Sequence, residues 1–418
     1  NVSLIGIGGM AGDVFGNGML LSDKLQLVAA FNHMHIFIDP NPDAAKSFAE
    51  RKRLFELPRS SWADYDAKLI SEGGGIFLRS AKSITITPQM KARFDIAADK
   101  LAPTELLNAL LKAPVDLLWN GGIGTYVKSS KESHADVGDK ANDALRVDGR
   151  ELRAKVVGEG GNLGMTQLGR VEFGLHGGAS NTDFIDNAGG VDCSDHEVNI
   201  KILLGEIVAA GDMTGKQRNK LLAEMTDAVG ALVLGNNYKQ TQALSLAERR
   251  ARERLAEYKR LMAALEAAGK LDRALEFLPS DDELNERAAN GRGLTRPELS
   301  VLISYSKIDL KEALLKSLVP DDDYLAREME TAFPAQLTKK FGEAMRRHRL
   351  KREIVSTQIA NDLVNHMGIT FVQRLKESTG MSAANVAGAY VIVRDVFRLP
   401  HWWQQIEALD YKVPAELP

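Results

Sequence analysis

The chain has 418 residues, of which 44% are hydrophobic and 26% are charged, and its formal net charge is −3. This composition is typical of a folded globular protein and excludes a largely disordered chain. The small negative charge offers no basic surface for nucleic acid, and the apolar runs stay below the roughly 18 residues that a membrane span needs. We therefore expect neither nucleic acid nor a membrane as a partner.

The chain contains a single cysteine, Cys193. One cysteine excludes an internal disulfide and a cysteine-rich zinc site, and it is typical of a reducing compartment. No histidine or cysteine pair has metal-ligand spacing, so we predict no metal site and a cytoplasmic location. The chain enters an apolar run at once, with no targeting segment or initiating methionine, so we expect a piece of a longer protein.

Glycine divides the chain, since 24 of its 36 glycines lie in residues 1–190. This first part alternates helical stretches, such as 41–55 and 103–111, with apolar runs of strand length. The runs are 2–5, 35–38, 115–119, 154–157 and 183–185. Such alternation predicts an α/β fold with a Rossmann-like, doubly wound parallel sheet, which we place in a domain of residues 1–204.

From residue 195 onward the pattern is helical, with apolar residues three and four apart in segments 216–235, 240–268, 295–318 and 383–397. Thr295 and Glu298 have the spacing of a capping box, and Pro297 stands in the first helical turn. These features predict an all-α helical domain over residues 205–418, which we expect to be truncated.

The first apolar run leads into three glycines, Gly6, Gly8 and Gly12, and then into a helix that begins near Asp13. A glycine-rich turn between a strand and a helix is typical of dinucleotide binding. Gly6 would permit the tight turn, Gly8 would let the backbone approach a phosphate, and Gly12 or Ala11 would let helix and strand pack closely. The spacing is one residue longer than the commonest form, and a purely structural glycine turn remains an alternative.

Asp39 follows the predicted strand 35–38. A carboxylate at this position accepts hydrogen bonds from the adenosine ribose and repels a 2′-phosphate, so it favours NAD over NADP. Asp39 lies farther from Gly8 than the usual spacing of about 20 residues, which implies a longer first crossover. The alternative is an aspartate that opens a turn or caps the helix at Asn41.

Two further segments point to close contact between backbone and ligand. Asn120, Gly121 and Gly122 follow the predicted strand 115–119, where Asn120 would bind the nicotinamide ribose or carboxamide and the two glycines would leave room for the ring. A plain Asn-Gly turn is the alternative. Ten glycines are also concentrated between Gly158 and Gly190, and such density favours close approach of a ligand over regular packing.

The sequence resembles the large NAD-specific glutamate dehydrogenases of bacteria, within the glutamate, leucine and phenylalanine dehydrogenase superfamily. The resemblance extends over nearly the whole chain. The segments that carry it are GIGGMAGDVFGNGMLLS, FNHMHIFIDPNP, SSWADYD, EGGGIFLRSAKSI, WNGGIGTYVK, GEGGN, NAGGV and LTRPELSVLISYSKI.

The resemblance implies NAD as cofactor and L-glutamate and 2-oxoglutarate as substrate and product of an oxidative deamination. The glycine-rich turn and Asp39 would hold the adenosine diphosphate half of NAD, and Asn162 and Asn187 would fix the nicotinamide end. Ser194 would donate a charge-assisted hydrogen bond to the distal carboxylate of glutamate, although it could instead cap a helix. The resemblance also implies a homo-oligomer for the full-length protein.

Members of this family use a lysine and a carboxylate for proton transfer, on a domain that precedes the dinucleotide turn. We therefore assign no catalytic residue within this chain, expect the pair upstream, and expect the chain alone to be inactive. Lys82, Lys128 and Lys155 are predicted to be solvated, and His176 and His196 to be structural or peripheral. Two alternatives remain: a nonenzymatic NAD-binding regulatory or scaffold module, and a dehydrogenase for another amino acid.

Overall fold

The computed structural model describes residues 1–410 and 412–413, which form two compact units. The first unit comprises Asn1–Ala188, Ala274–Asp282 and Gly293–Val301, and the second comprises Gly189–Arg273, Glu283–Arg292 and the described residues from Leu302 onward. The predicted domain boundary at residue 204 stays a prediction.

The first unit contains ten strands. They are β1 (Val2–Ile7), β2 (Leu25–Phe31), β3 (His35–Ile38), β4 (Gly75–Leu78), β5 (Ile84–Thr85), β6 (Lys100–Leu101), β7 (Leu117–Asn120), β8 (Val127–Lys128), β9 (Val147–Asp148) and β10 (Val156–Glu159). Six of them form one sheet in the order β10-β7-β1-β2-β3-β4, and the pairs β5-β6 and β8-β9 form two small sheets.

The main sheet is mixed, so the prediction of a parallel sheet is correct only in part. The pairs β1-β2, β1-β7 and β7-β10 are parallel, whereas β2-β3 and β3-β4 are antiparallel. The cause is the tight turn after β2, where the Asn32 side-chain oxygen accepts hydrogen bonds from the backbone N–H groups of Met34 and His35. So short a turn joins only antiparallel strands, because a parallel connection needs about a dozen residues or more.

The helices of this part of the chain cover both faces of the sheet. They are α1 (Asp13–Leu20), α2 (Ala44–Glu56), α3 (Pro88–Phe94), α4 (Pro103–Leu111), α5 (His134–Val137), α6 (Gln167–Leu175) and α7 (Asp183–Asp186), with 3₁₀ turns at Trp62–Asp64, Ala67–Leu69, Lys140–Asn142 and Gly149–Glu151. Leu4 of β1 packs with Phe15 of α1 on one face, while Ile5 packs with Leu107 of α4 on the other. This alternation follows from the two-residue period of a strand and buries both faces.

The predicted strand 183–185 is wrong, because these residues form helix α7. The backbone N–H groups of Ile185 and Asn187 donate to the carbonyl oxygens of Thr182 and Asp183. A three-residue apolar run is too short for periodicity to distinguish a strand from a helical turn.

From Ala188 onward the described chain is helical and contains no strand, in agreement with the prediction. The helices are α8 (Ala188–Ala209), α9 (Gly215–Glu224), α10 (Thr226–Arg249), α11 (Leu255–Ala267), α12 (Asp281–Ala289), α13 (Arg296–Leu315), α14 (Ala335–Met345), α15 (Lys351–Met367), α16 (Phe371–Thr379), α17 (Ala383–Val396) and α18 (Leu399–Glu407), with 3₁₀ segments at Val319–Asp321 and Leu325–Ala332. None of the described helices has both the length and the apolar character that a membrane crossing requires.

Helix α13 begins at the residues that resemble a capping box. The Glu298 carboxylate accepts hydrogen bonds from the backbone N–H of Thr295, at 2.7 Å, and from its hydroxyl, at 2.8 Å. This is the contact in which the glutamate reaches back to the residue before the helix, as the spacing predicts.

Candidate functional site

The carboxyl ends of β1, β2, β7 and β10 meet at one edge of the main sheet, because these strands are parallel. Strand β4 ends at the same edge, since it runs antiparallel to β3 and β3 runs antiparallel to β2. Ligands of open α/β sheets bind at this edge. We call it the carboxyl edge.

The glycine-rich turn after β1 lies at the carboxyl edge. The Gly8 N–H donates to the carbonyl oxygen of Phe31 at 2.7 Å, and the Gly8 φ angle of +144° is one that other residues rarely adopt. A Cβ atom at Gly8 would lie 2.6 Å from the ring of Phe15, and a Cβ atom at Gly6 would lie 2.5 Å from it. The backbone of this turn is therefore held close to helix α1.

The individual roles predicted for these glycines need correction. Gly6 lies within β1, where it permits close packing of α1 and does not form the turn. Gly12 is exposed and stands at the N-terminal cap of α1. Asp13 occupies the first turn of α1, and its carboxylate opposes the positive end of the helix dipole.

The loops after β7 and β10 come together with this turn. A Cβ atom at Gly122 would lie 3.2 Å from the Ile7 carbonyl oxygen and 3.5 Å from the Gly8 Cα atom. A Cβ atom at Gly161 would lie 3.2 Å from the Gly122 carbonyl oxygen. Three glycine loops therefore pack backbone against backbone at the carboxyl edge, at distances that a side chain would disturb.

Asn120 is at the carboxyl edge, but its side chain is buried. Its Oδ1 atom accepts from the Gly122 N–H at 3.3 Å, and its Nδ2 atom is buried with no hydrogen-bond partner among the described residues. The Nδ2 atom points to the backbone of Gly164. Contact between this amide and a nicotinamide stays a prediction.

Asn162 and Asn187 are brought together by the fold. The Asn187 Nδ2 group donates to the side-chain oxygen of Asn162 and, at 3.3 Å, to the carbonyl oxygen of Gly161. The two amides thus form one polar pair beside the loop after β10, as expected for residues that serve one end of a ligand.

Asp39 is not brought to the carboxyl edge. Its N–H donates to the Val28 carbonyl oxygen, so Asp39 lies beside the middle of β2 and not at its carboxyl end, as the antiparallel direction of β3 requires. Its carboxylate is completely buried and accepts from the N–H and hydroxyl of Ser71 at 3.1 and 2.5 Å. Burial raises the pKa of Asp39, and the hydrogen bonds from Ser71 oppose that rise. The residue that follows β2 at the carboxyl edge is Asn32.

Ser194 lies within α8 and is exposed, and its hydroxyl donates to the Gly190 carbonyl oxygen at 3.3 Å. The alternative role as a helix cap is wrong, because the helix begins six residues earlier, at Ala188. The predicted contact of Ser194 with a substrate carboxylate stays a prediction.

The other polar residues considered from sequence have structural partners or are exposed. Lys128 was expected to be solvated, but it is buried and its Nζ atom lies 2.5 Å from an Asp148 carboxylate oxygen. Lys155 is exposed and pairs with Asp116, and Lys82 is exposed. Buried His196 contacts the Ala332 carbonyl oxygen, while His176 is exposed. The described residues contain no cluster of three or more metal-binding side chains.

Sequence reasoning missed a buried ion pair at the end of β10. The Glu159 carboxylate binds Arg170 of α6 through Nε at 2.6 Å and Nη2 at 2.9 Å. It also accepts from the Met165 N–H at 3.0 Å. The pair therefore fixes both ends of the loop 160–164, and the only sequence signal was a charged residue within an otherwise glycine-rich segment.

The fold and the site together define an α/β domain with a glycine-lined sheet edge, followed by a helical region. Family comparison makes this more specific. Residues 1–247 match the model described as bacterial NAD-glutamate dehydrogenase, catalytic domain, and residues 291–418 match the model described as glutamate dehydrogenase, C-terminal. The chain belongs to the bacterial NAD-glutamate dehydrogenase family.

Individual relatives agree with this assignment. The chain is 87% identical over 417 residues to the NAD-specific glutamate dehydrogenase of Pseudomonas aeruginosa, 65% over 415 residues to that of Halomonas elongata, and 49% over 417 residues to that of Mycobacterium tuberculosis. These matches cover 98 to 100% of this chain and 26% of each relative. The chain thus spans about a quarter of the length of these curated relatives.

Proposed function

We propose that this chain is the cofactor-binding part of an NAD-dependent glutamate dehydrogenase. The reaction converts L-glutamate, NAD⁺ and water into 2-oxoglutarate, ammonium, NADH and a proton. The observation that carries the proposal is the meeting of three glycine loops, at Gly8, Gly122 and Gly161, on the carboxyl edge of the sheet. The names of the relatives supply the reaction and the cofactor.

The residues at this edge fit a dinucleotide. Gly8 has a φ angle reserved for glycine, and a side chain at Gly122 would press on the backbone of β1 and its turn. A cradle of backbone without Cβ atoms suits a diphosphate, which binds main-chain N–H groups at close range. We accordingly extend the proposal to a Rossmann-like NAD-binding domain over residues 1–204.

When bound, NAD⁺ accepts the hydride that leaves the α carbon of glutamate. The backbone between Gly8 and Gly12 would bind the diphosphate, and the pair of Asn162 and Asn187 would hold the amide end of the cofactor in one orientation. The Ser194 hydroxyl would donate to the distal carboxylate of the substrate, which would favour glutamate over apolar amino acids. A homo-oligomeric state and a cytoplasmic location of the full-length protein stay predictions.

Isothermal titration calorimetry of NAD binding to this chain tests the proposal. Gly122→Ala should weaken binding by about tenfold or more, because the added methyl group lies within 3.2 Å of the Ile7 carbonyl oxygen and displaces the loop. Gly205→Ala, near the C-terminal end of α8 with no atom within 4 Å of the new Cβ, is the matched control and should bind like the wild type.

Absence of NAD binding by the wild type, or equal binding by Gly122→Ala and wild type, would contradict the proposed cofactor site. The reaction itself is tested in the natural full-length protein, where Gly122→Ala should reduce glutamate-dependent NADH production and Gly205→Ala should not. NAD binding without any glutamate-dependent reduction in the full-length protein would instead indicate a nonenzymatic NAD-binding module.

A further inference from the structure

Arg79 lies at the carboxyl edge, directly after β4. Leu78, the last residue of β4, pairs with His35 at the start of β3, which places Arg79 beside the turn between β2 and β3. Its backbone N–H donates to the Met34 carbonyl oxygen at 2.9 Å, and its Nη1 group donates to the Asn32 carbonyl oxygen at 3.1 Å. These two contacts fix the base of the side chain and the orientation of the guanidinium.

The guanidinium of Arg79 has no carboxylate partner among the residues that the structure describes. Its one hydrogen bond there is the contact with the Asn32 carbonyl, although a guanidinium carries five N–H groups. The side chain is half-buried, so a positive charge is held at the sheet edge without local neutralisation. Its field reaches Tyr126, where burial raises the pKa of the phenol and the charge of Arg79 opposes that rise.

Asn32 adds donors and no free acceptor at the same place. Its Oδ1 atom is already occupied by the N–H groups of Met34 and His35, at 2.8 and 2.9 Å. Its Nδ2 group faces the glycine-rich turn, since a Cβ atom at Gly9 would lie 3.2 Å from it. The end of β2 therefore presents an amide N–H group beside the turn.

Two aspartates bear on how the glycine-rich turn could bind an anion. Asp13 places a carboxylate in the first turn of α1 and weakens the attraction of that helix end for an anion. Asp39, the acid expected at the adenosine ribose, is buried beside the middle of β2 and does not lie at this edge. Two donor side chains and an uncompensated positive charge remain on the adenosine side of the glycine-rich turn.

We propose that Arg79 and Asn32 together bind phosphate oxygens carried by the adenosine half of a dinucleotide. This inference rests on the proposed function, and it names side chains that read the nucleotide where no acid is available. Guanidinium groups bind phosphate through charge-assisted hydrogen bonds, which are stronger than bonds between neutral groups. The phosphate oxygens are those of the 5′-diphosphate, the only phosphates that NAD carries.

Calorimetry with ADP and adenosine separates phosphate binding from binding of the nucleoside. Arg79→Gln should weaken the binding of ADP by about ten- to a hundredfold and leave adenosine binding unchanged, as loss of a charge-assisted contact predicts. Arg79→Lys should restore part of the affinity, because it keeps the charge. Arg93→Gln is the matched control, since Arg93 of α3 is also a half-buried arginine.

Asn32→Asp provides a second variant that keeps the turn intact. The new carboxylate still accepts from the N–H groups of Met34 and His35, but it replaces the donor by a negative charge. ADP binding should fall by at least about tenfold, and raised salt should reduce the difference from the wild type.

Wild-type affinity of Arg79→Gln and Asn32→Asp for ADP would overturn the inference while leaving the NAD site in place. Failure of the wild type to bind any adenine nucleotide would overturn the proposed function as well.

Discussion

Substitution of Arg170 tests how the loop after β10 is held. Arg170→Met removes the cation that binds the Glu159 carboxylate, which is completely buried. Breaking a buried ion pair from one side costs about 3–5 kcal/mol, because the remaining charge loses its partner and cannot reach water. We expect the free energy of unfolding of the first unit to fall by about this amount.

The double variant Glu159→Gln/Arg170→Met separates the charge from the packing. The glutamine side chain that it introduces is neutral and can still accept from the Met165 N–H, which Glu159 binds at 3.0 Å. The double variant should therefore be more stable than Arg170→Met alone, by about 1–3 kcal/mol. Lys155→Met is the control, since Lys155 forms an exposed pair with Asp116 and should change stability by about 1 kcal/mol at most.

Urea unfolding followed by tryptophan fluorescence measures these differences. Trp402 and Trp403 are replaced by phenylalanine in every variant, so that the fluorescence of Trp62 and Trp119 reports the first unit alone. A cost below about 1 kcal/mol for Arg170→Met, or a double variant no more stable than it, would refute the reasoning about the buried charge.

Three further predictions concern single residues. Burial raises the pKa of Asp39, so the folded state holds its proton more tightly, and wild-type stability should fall as pH rises from the ordinary carboxyl range through that raised pKa. Asp39→Asn should lose this pH dependence in urea unfolding and keep wild-type NAD affinity. An affinity weaker by about tenfold would instead support the predicted contact of Asp39 with the adenosine ribose. Trp62→Phe removes the indole N–H that donates to the Gly8 carbonyl oxygen at 2.9 Å. The free energy of unfolding in urea should fall by about 1–3 kcal/mol, and NAD binding should weaken. Unchanged values would show that the turn does not need this contact. Ser194→Ala in the full-length protein should raise the KM for glutamate while the KM for NAD stays the same, and an unchanged glutamate KM would remove Ser194 from the substrate site.

Much of the fold can be predicted from the sequence, because residue types and short spacings determine it. The run that begins at Val2 followed by Gly6, Gly8 and Gly12 predicts a strand, a turn and a helix, because glycine is needed where backbone packs against backbone. The helical part follows from three- and four-residue spacing, and the start of α13 follows from the contact between Thr295 and Glu298. These signals act over a few residues, so a single sequence contains them.

The antiparallel direction of β3 is not predicted from the sequence pattern. The segment 25–31 reads as part of a crossover, although it is a strand, and the short turn at Asn32 then reverses the chain. Asp39 consequently lies beside the middle of β2, away from the carboxyl edge. Asn32 and Arg79 lie at that edge, near the glycine-rich turn. The short turn at Asn32 sets the antiparallel direction of β3, but it does so only because the segment 25–31 is itself a strand, which the sequence pattern did not predict.

The sequence by itself determined the family, the α/β and helical parts and the glycine-rich loops, because these depend on residue identity and short spacing. Only the tertiary structure decided which of those loops meet and which polar groups face them. It joined Gly8, Gly122 and Gly161 across more than 150 residues of chain and enclosed the side chains of Asn120 and Asp39. The physical reason is that burial and strand pairing are set by contacts between remote segments, which exist only once the sheet has formed.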